Sequence, residues 1–310
     1  TQYDDIYEAF RNPTLFSSRA VTPWEEKEAH EWIPVELDGM KHTKYRQLLM
    51  PFFTPAKAEE LAPMVRAWCS ELIERFAADG KCDFIGQFGR LYPTYIFMGL
   101  MGLPVEKADT FLDWADELMH TPATEDPDGA IRAEAGMKIY GYLGGLIAER
   151  KANPQGDILT YLINAEIDGA PMPDSELLEY AFLLYMGGLD TVAGTLGCIF
   201  RHLADNPGDR QRLVDDPSLI PGAIEEFLRY YSIASPARLV REDGEYAGCP
   251  MKAGDRVVLA TWPANRDPRQ FDDADTFVID REGNRHCAFG IGVHRCLGSH
   301  LARLEIKVAI

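Results

Sequence analysis

The sequence lacks the cysteine patterns of disulfide-stabilised and zinc-binding domains. Its 310 residues include six cysteines with no CxxC pair among them, at positions 69, 82, 198, 249, 287 and 296. Small secreted domains and zinc modules depend on closely spaced cysteines. The pattern therefore favours a protein of the reducing cytoplasm.

Long apolar runs, a basic leader and an excess of positive charge are missing as well. No charge-free apolar run approaches the roughly 18 residues of a membrane-spanning helix, and residues 1–5 carry no basic segment. Lys and Arg number 31 against 49 Asp and Glu, a net charge of −18. This balance argues against a nucleic-acid partner. We expect a soluble cytoplasmic protein with no membrane contact.

Enough apolar material is present for a sizeable core, since 46% of the residues are hydrophobic. Periodicity predicts helices over the first three quarters of the chain, around 42–50, 55–79, 91–101, 105–120, 130–151 and 157–166. The longest candidate, about 174–205, would span about 50 Å and cross the centre of the protein. Strands are predicted later, near 238–241, 245–249 and 255–260.

The loop around Cys296 carries the strongest chemical signal. It reads Phe-Gly-Ile-Gly-Val-His-Arg-Cys-Leu-Gly over 289–298 and precedes an apolar helix over 301–310. Thiolate is the metal-binding form of cysteine, and a helix N-terminus and nearby cations favour it. Three glycines would let the backbone approach a flat macrocycle. The loop predicts a haem-iron ligand, and a buried structural cysteine beside a glycine turn is the alternative.

The spacing Phe-x-x-Gly-x-x-x-Cys-x-Gly resembles the ligand loop of the haem-thiolate monooxygenases, the cytochromes P-450, and the continuation over 297–303 is similar to soluble bacterial members such as camphor hydroxylase. The resemblance implies a mainly α, α+β fold, with a helical bundle around a long central helix and a small β region. It implies one catalytic domain over 1–310, with both ends truncated. It further implies haem b, whose iron receives electron density from a thiolate. The loop residues assigned to the cofactor are Phe289, Gly290, His294, Gly298 and the iron ligand Cys296.

The predicted central helix contains two adjacent glycines, Gly187 and Gly188, directly before Asp190 and Thr191. Each glycine costs about 1 kcal/mol against alanine in a helix, so a packing or functional reason is expected. A groove beside a flat ligand is one reason. The residues match the family's oxygen-activation motif, which implies that Thr191 hydrogen-bonds dioxygen while Asp190 conducts protons to it. Close helix packing, with Asp190 in a solvated ion pair, is the alternative.

Glu226 and Arg229 lie one helical turn apart, and such pairs are usually surface ion pairs. The resemblance implies instead a structural pair that fixes the core beneath the cofactor. The family normally adds a third, basic residue before a later phenylalanine, and Thr276 stands there in this chain. Whether Arg281 substitutes for it is left open by the sequence.

Four residues stand where the family binds the haem propionates, namely His42, Arg46, Arg238 and His294. His42 and Arg46 would share one face of a helix, because they are four residues apart. A His-x-x-x-Arg pattern alone usually marks an exposed face. Agreement of four cations with one anionic ligand favours the cofactor.

Residues 19–37 would cover the substrate side of the cofactor by resemblance. His30 could supply one hydrogen bond in an otherwise apolar cavity, or be an exposed loop histidine. Further candidate wall residues are Trp32, Leu183, Met186, Gly187, Ile233 and Ala234. They favour a compact hydrophobic substrate.

Together these features predict a monomeric monooxygenase that hydroxylates or epoxidises a small, terpenoid-like lipophile with O2. Electrons would come from a ferredoxin or flavodoxin served by an NAD(P)H-dependent reductase. Candidate docking charges for this acidic partner are Lys41, Lys44 and Arg295. A haem-thiolate peroxygenase and a haem-binding fragment without turnover are the alternatives.

Overall fold

The computed structural model describes residues 2–23 and 31–310 of the chain. Helices dominate, as the sequence predicts. They are α1 Tyr3–Arg11, α2 Gly39–Leu49, α3 Pro55–Ala77, α4 Leu91–Met101, α5 Ala108–Met119, α6 Ala130–Ala152, α7 Ile158–Ile163, α8 Asp174–Leu189, α9 Thr191–Asp205, α10 Pro207–Asp215, α11 Ile220–Tyr230, α12 Thr261–Ala264 and α13 Ser299–Ala309. The strands are β1 Phe16–Ser17, β2 Glu166–Ile167, β3 Ala170–Pro171, β4 Ala237–Val240, β5 Gly244–Tyr246, β6 Cys249–Met251 and β7 Arg256–Val258.

The chain forms two compact units. The first is drawn from Thr1–Glu31, Val35–Ala58 and Gly194–Ile310, and the second from Trp32–Pro34 and Glu59–Ala193. The expectation of a single catalytic domain over 1–310 stays a prediction.

The second unit is a helical cluster around α4. Most of α4 is buried, because its residues are apolar on every face, and it packs against α5, α7 and α8. Along α6, buried residues recur at helical spacing and face α5, α7 and α8. The α4 helix ends at Gly102, whose φ of 65° lies in the left-handed region. Its carbonyl accepts a hydrogen bond of 2.8 Å from Arg150.

The predicted central helix is divided. Its first segment, α8, ends at Leu189, and α9 begins at Thr191, so Asp190 stands at the junction. By length and composition alone, the stretch Asp174–Asp205 could span a membrane, a result that the sequence analysis did not anticipate. The buried core helix of a soluble protein meets the same criteria. Within its apolar window 39% of the residues are buried inside the protein.

The first unit contains a small sheet in the order β1, β4, β7, with all neighbours antiparallel. Phe16 pairs with Val240, and Arg238 pairs with Val257. An apolar core next to this sheet includes Phe10 of α1 and Phe271. The sheet and α1 together hold one side of the Cys296 loop.

The single strand predicted over 245–249 is wrong. This stretch is a hairpin, in which β5 and β6 pair antiparallel through Tyr246 and Cys249. Ala247 and Gly248 form the turn with φ of 51° and 78°. Two left-handed residues in succession suit a tight hairpin turn, and Ala at the first position hides the signal.

Candidate active site

The Cys296 loop is held by its own backbone. The Cys296 amide donates to the Phe289 carbonyl at 2.7 Å, and the Arg295 amide donates to Gly292 at 3.1 Å. A short 3-10 turn, Gly292–His294, lies inside the loop, and α13 follows directly after it. The Cys296 residue is solvent-accessible, which favours the iron-ligand prediction over a buried structural cysteine.

The three loop glycines have different roles. Gly290 and Gly292 adopt φ of 65° and 73°, and a Cβ on either would press on Phe10, at 3.3 Å from its ring and 3.1 Å from its carbonyl oxygen. These two glycines therefore fit the loop against α1. A Cβ on Gly298 would meet nothing within 4 Å. Of the three, Gly298 is the one that leaves open space for a flat group to approach.

Opposing effects act on the Cys296 thiol. Surrounding protein atoms desolvate the thiolate and raise the pKa of Cys296. The Gly298 amide and the charges of Arg46, Arg295 and Arg303 lower it in part. The sulfur is thus influenced by one loop amide and by cations of the loop, of α2 and of α13, which suits a thiolate that ligates a metal.

The four predicted propionate residues lie together in the first unit. The rings of His42 and His294 are 3.8 Å apart, centroid to centroid, at 34°. Arg46 donates to the carbonyl of Arg295. Arg238 is buried on β4 and donates to the Ala237 carbonyl at 2.7 Å. His42 is buried, so it does not form the exposed face that its spacing alone would suggest.

Burial sets the charge of this cluster. Desolvation and the neighbouring cations lower the pKa of His42 to about 4 and of His294 to about 3. Both imidazoles are therefore neutral hydrogen-bonding groups at neutral pH. Burial also lowers the pKa of Arg238, to about 10, which still leaves the guanidinium charged.

A haem fits these residues. The buried Nε2 of His42 has no hydrogen-bond partner among the residues that the structure describes. Propionate oxygens would satisfy this atom and offset the buried charge of Arg238, since buried cations require anionic partners. Cys296 and the open face of Gly298 belong to the same unit. The donor set therefore matches one anionic, thiolate-ligated macrocycle.

Glu226 and Arg229 form a fully buried pair and not a surface one. Both are 0% exposed, and Arg229 donates to both carboxylate oxygens at 2.7 Å. The same carboxylate accepts from the Val278 amide at 2.8 Å and from Asn284 at 3.0 Å. The pair therefore lies at the centre of a buried hydrogen-bond network, and the structural role that the resemblance implies stays a prediction.

Arg281 supplies the basic residue that Thr276 does not. Its Nε donates to Glu226 at 3.1 Å, and its terminal nitrogen donates to the Thr276 carbonyl at 3.1 Å. Arg229 also donates to backbone carbonyls in this region, namely those of Asn265, Ala274 and Thr276. The buried carboxylate thus faces two guanidinium groups, and the question left open by the sequence is settled in favour of Arg281.

Asp190 pairs with a histidine that sequence reasoning missed. Its Oδ1 lies 2.9 Å from Nε2 of His120, just after α5, and both side chains are about half exposed. This contact matches the solvated pair that was the alternative interpretation of Asp190. The pair also connects Asp190 to a group that can exchange protons with water. Because the residues are 70 positions apart, no sequence spacing could have indicated the contact.

The two adjacent glycines of α8 differ in their surroundings, so one fits the helix-packing role and the other fits the groove role. A Cβ on Gly188 would collide with the ring of Phe97 on α4, so this glycine permits close helix packing. A Cβ on Gly187 would meet nothing within 4 Å. The groove expected from the sequence therefore depends on Gly187, and the packing alternative holds for Gly188.

Alanine substitutions should separate these roles. We expect Gly188→Ala to lower the free energy of unfolding by about 1–3 kcal/mol, because it overpacks the contact with Phe97. Gly187→Ala should raise it by about 0.5–1 kcal/mol through helix propensity. Urea unfolding followed by circular dichroism measures both. Equal effects of the two substitutions would contradict the assignment.

The predicted substrate residues fall into two groups. In the second unit Trp32 lies 6.2 Å from Phe182, ring to ring, while Leu183 and Met186 are half buried and Gly187 is exposed. In the first unit Ile233 and Ala234 are exposed, and the Ala234 carbonyl accepts a hydrogen bond from Thr261. His30 lies outside the described residues.

One predicted docking charge already has a partner. Lys41 pairs with Glu31 at 3.2 Å and lies 5.5 Å from the centre of the Tyr45 ring. Arg295 is half buried and its carbonyl is occupied by Arg46. Docking of a redox protein through these groups stays a prediction.

Comparison with known proteins gives one consistent result. A family model for cytochrome P-450 matches residues 1–310. Mycinamicin IV hydroxylase/epoxidase of Micromonospora griseorubida is 31% identical, over 100% of this chain and 79% of that protein. Vitamin D(3) 25-hydroxylase of Pseudonocardia autotrophica is 32% identical, over 100% and 78%.

A solved structure agrees with the sequence matches. The crystal structure of CYP109E1 from Bacillus megaterium, in complex with testosterone, superposes with a TM-score of 0.92 at 29% identity, covering 99% of this chain and 81% of that one. The predicted fold, mainly α with a long central helix and a small β region, is confirmed.

Proposed function

Because this chain belongs to the cytochrome P-450 family, and is therefore a haem-dependent monooxygenase, we propose that it acts on a small, terpenoid-like lipophile. The reaction takes one oxygen atom of O2 into a C–H or C=C bond of the substrate and releases the other as water. Two electrons and two protons complete the balance. We propose haem b as the cofactor and a ferredoxin or flavodoxin as the electron donor.

The grouping of His42, Arg46, Arg238 and His294 in the same unit as Cys296 carries this proposal. Two guanidinium groups and two neutral imidazoles suit a ligand with two carboxylates, which haem b has. The family's haem supplies activation of O2 when it is bound, and Cys296 is the residue that would ligate its iron. These side chains would orient the group and hold it with its charge neutralised.

Proton transfer would depend on Asp190, Thr191 and His120. The Asp190 carboxylate is half exposed and lies 2.9 Å from His120 Nε2, so both side chains are in contact with water. Thr191 follows directly in the chain, and its hydroxyl can accept and donate in turn. We propose that protons pass from water through His120 and Asp190 towards the reacting oxygen.

The apolar residues of α8 and the substrates named for related proteins support the proposed substrate class. Leu183 and Met186 on α8 offer apolar surface without charge, and Gly187 leaves space beside them. Relatives are named for vitamin D(3) hydroxylation and for a complex with testosterone, both lipophilic molecules. A lipophile held mainly by apolar contacts therefore suits this chain better than a polar metabolite.

A substrate screen tests the proposal. Purified ferric protein is titrated with terpenoids, steroids, fatty acids and polar controls, and the Soret band is followed for displacement of the water ligand. Hits are then incubated either with NADPH, reductase and ferredoxin, or with hydrogen peroxide alone. We expect terpenoids to shift the band and to be oxidised only in the reductase system. Turnover supported by peroxide alone would favour a peroxygenase instead, and no band shift by any lipophile would contradict the substrate class.

Substitution of the acid should separate proton delivery from binding. We expect Asp190→Asn to slow product formation by about 100-fold or more, the usual size of a lost acid-base contribution. Substrate-induced band shifts should stay unchanged. Thr191→Ala should lower the product formed per NADPH consumed. His120→Ala should slow turnover less, because half-exposed Asp190 also reaches water directly.

The control for these variants is Asp205→Asn, which breaks the exposed pair with Arg201 on α9. Its rate and coupling should equal those of the unmodified protein. The measurements are stopped-flow turnover and the ratio of product to NADPH. Unchanged coupling in both Asp190→Asn and Thr191→Ala would remove the relay from the mechanism.

A further inference from the structure

Helix α11 carries two adjacent glutamates that contact different parts of the first unit. Glu226 holds the segment that contains Val278 and Arg281, as described above. Glu225 instead contacts His286 and Arg303, at 3.0 Å and at 2.6 and 2.8 Å. Neighbouring positions on a helix point about 100° apart, so one turn can serve two directions.

The two partners of Glu225 lie on either side of the ligand loop. His286 stands immediately before the segment that leads to Phe289, and Arg303 stands in the second turn of α13, after Cys296. One carboxylate therefore fixes both ends of the stretch that contains the thiol. Arg303 binds it with two nitrogens, in the bidentate geometry that gives direction as well as strength.

The histidine is fixed in one tautomer by its two neighbours. Its Nδ1 accepts from the Ala288 amide at 3.2 Å, so its Nε2 carries the proton and donates to Glu225. The His286 side chain is 3% exposed. The segment before the loop is thus joined to α11 by a buried, directional contact.

A short series of contacts joins Glu225 to the thiol. The guanidinium of Arg303 lies 4.6 Å from the centre of the Phe289 ring. The carbonyl of Phe289 accepts the amide hydrogen bond of Cys296 at 2.7 Å. Displacement of Arg303 would therefore release the side chain of Phe289, whose carbonyl binds the Cys296 amide. It would also remove one of the cations that lower the pKa of Cys296.

The Glu225 carboxylate is ionised at neutral pH. Burial by itself would raise the pKa of Glu225, but hydrogen bonds from Arg303 and His286 outweigh it and bring the pKa to about 2. The ionised form is therefore the one that holds the loop at neutral pH.

We propose that Glu225 is a positioning residue for Cys296, which acts through Arg303 and Phe289 to keep the thiolate in place for the iron. This inference rests on the proposed function, in that it assumes a haem ligated by Cys296. It assigns separate tasks to the two glutamates: Glu226 stabilises the fold, and Glu225 orders the ligand loop.

The experiment measures the carbonyl complex of the reduced holoprotein. Thiolate ligation gives a red-shifted Soret band, and loss of the thiolate gives a second band at shorter wavelength. We expect Glu225→Ala to lower the ratio of the first band to the second at least threefold, and Glu225→Asp to restore part of it. Arg303→Lys should act like Glu225→Ala, because it keeps the charge but loses the bidentate contact.

Two further variants separate positioning from general destabilisation. The double variant Glu225→Ala/Arg303→Ala should give about the same ratio as Glu225→Ala alone, since loss of the carboxylate already releases Arg303. Leu213→Ala removes a buried side chain on α10, which is not part of the loop, and should lower stability while leaving the ratio unchanged.

The outcomes distinguish this inference from the proposed function. A red-shifted band in the unmodified protein together with an unchanged ratio in Glu225→Ala overturns the inference alone. A ratio lowered equally by Leu213→Ala also overturns it. If the unmodified protein gives no red-shifted band, then the proposed function and the inference both fail.

Discussion

A Cys296→Ala variant should form no red-shifted carbonyl complex and no oxidised product. The effect should be complete because the thiol nearest in sequence cannot take over. The nearest in sequence, Cys287, is 1% exposed and lies 3.1 Å from the Asn265 side-chain oxygen. Burial also raises the pKa of Cys287 to about 12, so its thiolate is not formed at neutral pH. The check is the spectrum of the reduced protein under carbon monoxide, with product analysis beside it.

Cys249→Ala is the matched control for this variant. Cys249 is exposed in β6, in the same unit, and its side chain contacts only the Pro250 carbonyl, at 3.7 Å, among the hydrogen bonds of the described residues. Its spectrum and turnover should equal those of the unmodified protein. A red-shifted band that survives in Cys296→Ala would remove the ligand assignment, whatever the control shows.

Glu226→Ala should lower the free energy of unfolding by about 3–5 kcal/mol, the usual cost of breaking a buried ion pair. The substitution leaves the guanidinium of Arg229 buried at 0% exposure without its carboxylate, and Arg281 loses the same partner. The amide of Val278 loses its acceptor as well. Such a loss is a large part of the 5–15 kcal/mol by which a typical domain is stable. Guanidinium unfolding monitored by tryptophan fluorescence measures it.

An exposed pair provides the comparison. Arg201 and Asp205 lie 2.5 Å apart on α9, but their side chains are 79% and 57% exposed. Arg201→Ala should change the free energy of unfolding by less than about 1 kcal/mol, because water replaces the partner. If Glu226→Ala costs no more than this control, the buried pair does not have the structural role predicted for it.

Local patterns predicted most of the helices, because a buried stripe must repeat with the period of the helix. The boundary at Asp190 could not be predicted in this way. The helices α8 and α9 are both apolar, and the spacing of their apolar residues does not change at the boundary. The hairpin at 245–249 was missed because alternation continues through Ala247, a residue that rarely adopts positive φ.

At the site, residue types were predictable and partners were not. The spacing around Cys296 and the four residues assigned to the propionates predicted the ligand class, and the structure brings these five residues into one unit. The contacts of Asp190 with His120, and of Glu225 with Arg303, join residues 70 and 78 positions apart. Spacing carries no information about such pairs, because tertiary packing decides them.

The strand pairing of the first unit has a consequence for the order of biosynthesis. β1 pairs with β4, whose residues are translated roughly 220 positions later. At about 5–20 residues per second, the ribosome needs roughly 10 to 45 s to supply this partner. The long stretch Glu59–Ala193 of the second unit is translated before β4, by roughly 2 to 9 s at the same rate. The nascent chain can therefore form this helical cluster first. Until β4 is translated, Phe16 and its neighbours have no strand partner. We expect chaperone binding to the nascent chain to matter most during this interval.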